Sequence, residues 1–347
     1  MIKKISRIFA RNRNVPFFFK KDEKKCLFGK VSLIDKIKIM TQISKNILLV
    51  RPANFGVNTQ TLVTNHFQKQ LEGYSPEQIK KMAIEEFDNA VKLLKSKGIN
   101  TFVFDDTPTP IKPDAIFPNN WVSFHRDGTV VLYPMLTPNR MTERRLDIVD
   151  ELKTKFKITR LIDIFSSEVI KTNERLEGTG SIVFDHINKI AYACLSERTS
   201  KKLLLELCEH IGYEACYFES LDRNGNEIYH TNVMMCVAEK FVVICMESIK
   251  NCAESKQVYN KFKKTGHEII EISYEQMDKF AGNMLSVQGS NGPVLVLSQT
   301  AYDSLTPEQI KTIKKYNELL PLPINTIETI GGGSARCMIA EVFLPEL

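Results

Sequence analysis

At 347 residues, 43% hydrophobic and 25% charged, the chain has the composition of a globular protein with room for a sizeable core. No apolar run approaches the ~20 residues of a membrane-spanning helix. The formal charge of +6 is unevenly placed: residues 1–39 hold twelve Lys/Arg against Asp22, Glu23 and Asp35, so they carry +9 and the remainder −3, which offers no nucleic-acid footprint.

The basic opening, MIKKISRIFARNRNVPFFFKK, fits a transit peptide or a surface-binding helix. Met40, however, stands just before the first convincing strand and fits the start of the folded chain. Residues 1–39 are therefore read as a disordered or dispensable extension, and residues 40–347 as a single folded domain. The eight cysteines show neither a C-x-x-C spacing nor a zinc pattern. Cys194, Cys236 and Cys245 sit inside apolar runs and read as inert core. With no secretory apolar segment, a reducing cytoplasm is expected.

From residue 47 strands and helices alternate. Ile47–Val50 is a short strand. Pro76–Lys97 is an amphipathic helix, opened by Ser75 as N-cap and closed before Gly98. Thr101–Phe104 is the next strand. Trp121–His125 and Thr129–Tyr133 form a hairpin across Asp127-Gly128, and a helix is expected to begin near Thr142. The same pattern then recurs. Ile182–Phe184 pairs with Lys189–Cys194 ahead of a helix to Ile211. Val233–Val237 pairs with Phe241–Cys245 ahead of a helix around Glu254–Lys264. Met284–Val287 pairs with Val294–Leu297 ahead of a helix from Pro307 to Leu319. Cys337–Phe343 is a last strand without a downstream partner, free to pair with the N-terminal one. Five such α/β units repeat at about 55 residues, and a closed ring is the economical way to leave no free sheet edge.

Polar residues precede each hairpin strand: Asn119-Asn120, Glu177, His230-Thr231-Asn232, Asn283 and Cys337. Counted from Asn120, they are spaced by 57, 53, 53 and 54 residues. Equivalent positions of a pseudo-symmetric ring face one axis, so these side chains are expected to converge. Cys337 follows Gly331-Gly332-Gly333, a backbone free to approach a ligand closely. Alone, that stretch fits equally a structural loop with a core cysteine; in register with a histidine and a carboxylate it fits an activated thiol. In that reading Cys337 is the nucleophile, aided by His230 and the glycine-turn amides, His230 moves protons, and Glu177 orients the imidazole or binds a substrate N–H. One His and one Glu are too few ligands for a metal hydrolase, no phosphate-cradling motif is present, and no cofactor is implied.

These residues carry a resemblance to the guanidino-group-modifying, or pentein, superfamily. The motifs are RPANFGVN (51–58), PDAIFPNNWVSFH (113–125), LYPM-x-x-PNR (132–140), LEGTGSIVFD (176–185), LSERTS (195–200), YHTN (229–232) and GGGSARCM (331–338). The resemblance is nearest to the citrulline-hydrolase branch. It implies a five-unit ββαβ propeller with pseudo-fivefold symmetry and a covalent intermediate on Cys337. It also implies Arg198 as a ligand of the substrate carboxylate, with Arg140 and Arg144 as weaker candidates. Arginine deiminases carry aspartates where this chain has Asn120 and Asn232. Together with Asn119, these amides can donate to a carbonyl as well as accept from N–H groups, which suits a neutral ureido group. Asn65 and Asp114 are further candidates for the α-amino or reacting group. The expectation is hydrolysis of the amino acid L-citrulline to ornithine, carbon dioxide and ammonia. An arginine dihydrolase or deiminase is the nearest alternative, and a non-catalytic binding propeller the alternative of another class. A homo-oligomer is left open.

Overall fold

The structure, a computed structural model, describes residues 41–347 apart from residues 63, 166–168, 170 and 171. The basic extension at 1–39 and the start at Met40 lie outside the described residues. In chain order the strands are β1 (Asn46–Arg51), β2 (Asn100–Asp105), β3 (Val122–Phe124), β4 (Thr129–Leu132), β5 (Arg160–Asp163), β6 (Val183–Asp185) and β7 (Ile190–Leu195). They continue as β8 (Glu214–Glu219), β9 (Met235–Val237), β10 (Phe241–Ile244), β11 (Glu268–Glu271), β12 (Leu285–Gly289), β13 (Gly292–Ser298), β14 (Glu318–Leu322) and β15 (Ala340–Val342).

One pairing rule repeats through them. β3–β4–β5, β6–β7–β8, β9–β10–β11 and β12–β13–β14 each place the first strand antiparallel to the second and the second parallel to the third. β15–β1–β2 obeys the same rule, its first strand supplied from the far end of the sequence. The antiparallel pairs need only tight hairpins, whereas the parallel third strand requires a crossover, and a helix supplies it each time. β15 also pairs with β3, so two of the groups share one six-stranded sheet, β2-β1-β15-β3-β4-β5.

The helix Pro76–Ser96 shows how local sequence sets these crossovers. Ser75 and Gln78 form a reciprocal capping box, and Ile79, Ala83, Phe87, Ala90 and Leu94 make one buried stripe. Burying Phe87 and Leu94 contributes about 1.5–3 kcal/mol each. Among the described residues no helix is long and apolar enough to cross a membrane.

Most boundaries shift by a residue or two, and four depart in kind or by more. Thr142 does not open a helix: Pro138–Met141 forms one short helix, Thr142 caps it, and extended Arg145 separates it from Leu146–Leu152. Val233 and Met234 belong to the helical turn Thr231–Met234, not to β9. The helix from Pro307 ends at Ile313, and Leu319 lies in β14. Cys337 sits in a turn, with β15 beginning only at Ala340.

Candidate active site

Three short helical turns precede strands and carry the polar residues singled out by their spacing: Pro118–Asn120, Gly178–Ser181 and Thr231–Met234. Glu177 and His230 are the N-cap residues of the second and third. The turns touch through backbone. A β-carbon on Gly178 would collide with the Asn119 carbonyl oxygen. On Gly180 it would stand 2.7 Å from Asn120 Oδ1 and 2.8 Å from His230 Nδ1. Glycine at these two positions lets the asparagine, the glutamate and the histidine meet.

His230 Nε2 lies 2.7 Å from Glu177 Oε2, leaving Nδ1 beside Gly180 and Asn120. The other carboxylate oxygen accepts the Leu136 N–H at 2.8 Å, and Arg198 Nη1 approaches Oε2 at 3.5 Å. Burial opposes the charge on Glu177. The Arg198 guanidinium, the His230 hydrogen bond and Arg140 outweigh it, so the carboxyl stays well below the usual carboxylate range. Burial also holds the His230 imidazole down at about 4 despite Glu177. The ring is therefore neutral at pH 7 and able to accept a proton.

Cys337 is 4% exposed. Asn283 Nδ2 donates to its sulfur at 3.2 Å and Asn232 Nδ2 at 3.4 Å. The glycine turn serves otherwise than expected. Gly331 closes the helix Asn325–Gly331 and Gly332 caps it in the left-handed region. The Gly332 carbonyl accepts from Tyr229 Oη at 2.7 Å and from Asn65 Nδ2 at 3.3 Å, and that of Gly331 from Gln68 Nε2 at 3.3 Å. Thus the donors to the sulfur are two asparagine side chains rather than glycine-turn amides. The Asn65 amide is spent on the turn, with its Oδ1 accepting Phe67 N–H; it shapes the site rather than offering itself to a ligand.

A charged flank adjoins this centre. Arg198 donates to Thr64 Oγ1 at 2.6 Å and lies over the Tyr229 ring. Arg140 is clamped by Glu143 at 2.9 Å, with Asp114 at 3.8 Å. Asp114 also accepts from Asn58 at 2.7 Å, and burial raises its pKa. Arg144, a weaker candidate, instead pairs with Asp163 and lies over Phe165. Asn119 Nδ2 and Oδ1, Asn120 Oδ1, Asn232 Oδ1, Asp114 Oδ1 and Arg198 Nε are buried without a hydrogen-bond partner. Each such atom costs about 1–3 kcal/mol. Most are acceptors, which favours a ligand rich in N–H groups. Away from this cluster, burial pushes Cys194, Cys236 and Cys245 up to about 12, as inert thiols require.

Sequence reasoning missed Tyr229, Thr64, Glu143 and Gly180 as parts of the site. The second glycine of LEGTGS was the available signal for Gly180, and the i,i+3 spacing from Arg140 that for Glu143; Tyr229 and Thr64 become visible only through contacts between distant segments.

Residues 51–344 match the family described as eukaryotic N,N-dimethylarginine dimethylhydrolase. No curated protein matches the sequence. Among solved structures, the apo form of ArgZ, an arginine dihydrolase from the ornithine–ammonia cycle in Cyanobacteria, superposes with a TM-score of 0.68 at 15% identity. That match covers 87% of this chain and 41% of ArgZ, so the chain spans less than half that protein's length. The N-terminal domain of ArgZ bound to substrate gives 0.67 at 15% identity, covering 87% of this chain and 99% of the domain. A dimethylarginine dimethylaminohydrolase adduct with S-methyl-L-thiocitrulline gives 0.61 at 15% identity, covering 86% and 99%. With a mixed α/β fold like theirs and a family match over most of its length, the chain belongs to the dimethylarginine dimethylhydrolase family of the pentein guanidino-modifying superfamily.

Proposed function

We propose that the protein hydrolyses L-citrulline to L-ornithine, carbon dioxide and ammonia through a covalent intermediate on Cys337. The observation that carries this reading is the pair of neutral amides Asn120 and Asn232, one beside His230 and the other on the Cys337 sulfur. A guanidinium here would lack the carboxylates that deiminases place at these positions, whereas an amide can face both the C=O and the N–H groups of a ureido substrate. Asn119 offers a further unpartnered amide. Arg198, with Arg140 behind it, receives the substrate carboxylate, and Asp114 the α-ammonium.

In the first half-reaction His230 Nδ1 takes the Cys337 proton and the thiolate attacks the ureido carbon. The bond to the terminal nitrogen breaks, and that nitrogen leaves as ammonia with the proton from His230. A thiocarbamate remains on the sulfur. In the second half His230 deprotonates water, hydroxide attacks the same carbon, and the C–S bond breaks, the Cys337 sulfur leaving with the proton that His230 took from water. The resulting N-carboxy-ornithine loses carbon dioxide. Glu177 stabilises the imidazolium that forms twice in this cycle. The five three-strand groups are proposed to stand about one axis as a five-unit propeller. The repeated pairing rule and the near-regular spacing of the site residues support that arrangement. Seven free cysteines among the described residues favour a reducing, cytoplasmic setting.

A second reading, arginine dihydrolase, is favoured by the ionised Glu177 within the site and by the substrates of the solved relatives. Purified protein incubated in parallel with L-citrulline, L-arginine and dimethylarginine, assayed for ornithine, citrulline and ammonia, separates the readings. Ornithine from citrulline with arginine inert is the expected result. Comparable turnover of arginine would overturn the citrulline assignment. Cys337→Ala and His230→Ala should each abolish turnover with the fold retained, and activity in Cys337→Ala would overturn the covalent mechanism.

A further inference from the structure

Asn283 lies fifty-three residues beyond His230, on the turn that leads into β12, and is fully buried. Its amide is used at both ends. Nδ2 donates to Cys337 Sγ at 3.2 Å and to the Asn232 carbonyl oxygen at 2.8 Å, while Oδ1 accepts the Arg336 N–H at 3.1 Å. The backbone contacts decide which way the amide faces. A flipped group would set NH₂ against the Arg336 donor and its oxygen against the Asn232 carbonyl, losing both bonds. The N–H must therefore point at the sulfur.

A neutral thiol is a poor hydrogen-bond acceptor, whereas a thiolate is a good one. Two amide N–H groups, from Asn283 and Asn232, aimed at a sulfur that is 4% exposed form a cradle for the anion. Water cannot readily solvate the charge there, so fixed donors must replace it. Asn283 also pins the residue immediately before the nucleophile, through Arg336 N–H.

We propose that Asn283 holds Cys337 as a nucleophile: its side-chain N–H stabilises the sulfur anion, and its oxygen fixes the turn that presents it. The proton lost from the thiol passes to His230, and Asn283 keeps its own protons throughout. The inference rests on Cys337 being the nucleophile of the proposed reaction. It goes beyond that reading by assigning the anion's stabilisation to a residue outside the His230–Glu177 pair.

The test is alkylation of Cys337 by iodoacetamide across pH, read on the Cys337 peptide by mass spectrometry. It uses the full chain carrying Cys252→Ser, which silences the one exposed thiol among the described residues. Asn283→Asp keeps the side chain's shape and the acceptor for Arg336 but turns an oxygen toward the sulfur. Asn283→Ser removes the donor without adding a charge. Alkylation at neutral pH should slow about tenfold in Asn283→Asp, with its pH midpoint about one unit higher, and less in Asn283→Ser. A purely structural contact predicts the reverse order, because Asp preserves it better than Ser. Parental alkylation in Asn283→Asp, or an Asp variant faster than the Ser variant, would overturn the proposal. Should either variant unfold, selective ¹⁵N-asparagine labelling of the parent reads the same contact. Two side-chain amides should move with the alkylation midpoint, and the absence of any such amide overturns the assignment. Alkylation needs no substrate. Slowed alkylation without turnover of any ureido or guanidino amino acid would keep this inference and reject the proposed function, and unchanged alkylation in an active enzyme would do the opposite.

Discussion

His230 and Glu177 are fifty-three residues apart in sequence and 2.7 Å apart in space. The carboxylate is held by Leu136 N–H on one oxygen, with His230 and Arg198 at the other, so it fixes the ring's orientation and leaves Nδ1 for chemistry. Glu177→Gln keeps the size but removes the charge that supports an imidazolium. Turnover should fall by about 10²–10⁴-fold, with a much smaller change in KM. Steady-state kinetics check this, and a variant with wild-type kcat would remove Glu177 from the proton relay.

Gly180→Ala should damage the site from a position that contributes no side chain. The added carbon meets Asn120 Oδ1 at 2.7 Å and the imidazole at 2.8 Å, so one of them must move. A displacement of even about 1 Å at reacting groups can cost about 10²-fold in rate. Kinetics together with a thermal melt test it. The expected outcome is a large loss of kcat with only a modest change in Tm.

Acid should destabilise the fold through its buried histidines. Burial holds His125 and His230 down at about 4 and lowers His186 and His267 as well. The unfolded chain binds protons on these rings near their ordinary value of 6.5, before the folded chain does. Their neutral form therefore contributes stability that is complete above that value and lost as pH falls from 6.5 toward 4. The depressed carboxyl of Glu177 adds a loss of the same sign at still lower pH. Buried carboxyls such as Glu143, raised to about 8, act with the opposite sign across this window, so the rings are read directly by NMR titration. His125 and His230 should each stay neutral in the folded protein down to about pH 5, and a buried ring titrating near 6.5 would contradict its burial.

Asn120→Asp and Asn232→Asp should move preference from a ureido toward a guanidino substrate. Each restores an anionic acceptor near the reacting carbon and removes an N–H that a carbonyl oxygen can use. The ratio of kcat/KM for arginine to that for citrulline should rise at least about tenfold in either variant, the equivalent of about 1.4 kcal/mol. An unchanged ratio would show that these amides do not select between the two groups.

The hairpins were legible in the sequence because alternation and turn chemistry are local: Asp127-Gly128 marks the β3–β4 reversal, and β4 follows at once. The spacing of Asn120, Glu177, His230, Asn283 and Cys337 was legible because each unit reuses one plan. The third strands β5, β8, β11 and β14 were not, since they are partly exposed edge strands that pair with a strand on the far side of a helix. The helical turns at Gly178–Ser181 and Thr231–Met234 are too brief to show a period, so Val233 and Met234 read as strand. Leu319 and Leu320 continued an apolar pattern that the structure divides between a helix and β14. Within the candidate site, residue type and spacing brought forward Cys337, His230 and Glu177 as candidates, and the structure sets His230 against Glu177. The use of Asn65 as a brace for Gly332 could not be read, because it depends on segments 267 residues apart.

The pairing of β1 with both β2 and β15 sets the order of assembly at the ribosome. Leu48 waits for Ala340 as its antiparallel partner, and Ser44 Oγ for the Val342 carbonyl, 298 residues later. Four groups draw their strands from contiguous stretches and can form as they emerge, while β1 and β2 lack their third member until β15 is made. Such long-range closure slows folding relative to local pairing. It also makes Cys337 arrive after His230 and Glu177, in the same stretch as the closing strand. The nascent polypeptide thus carries His230 and Glu177 long before it carries Cys337, the proposed nucleophile, and synthesis itself keeps the three from meeting until the closing strand is made.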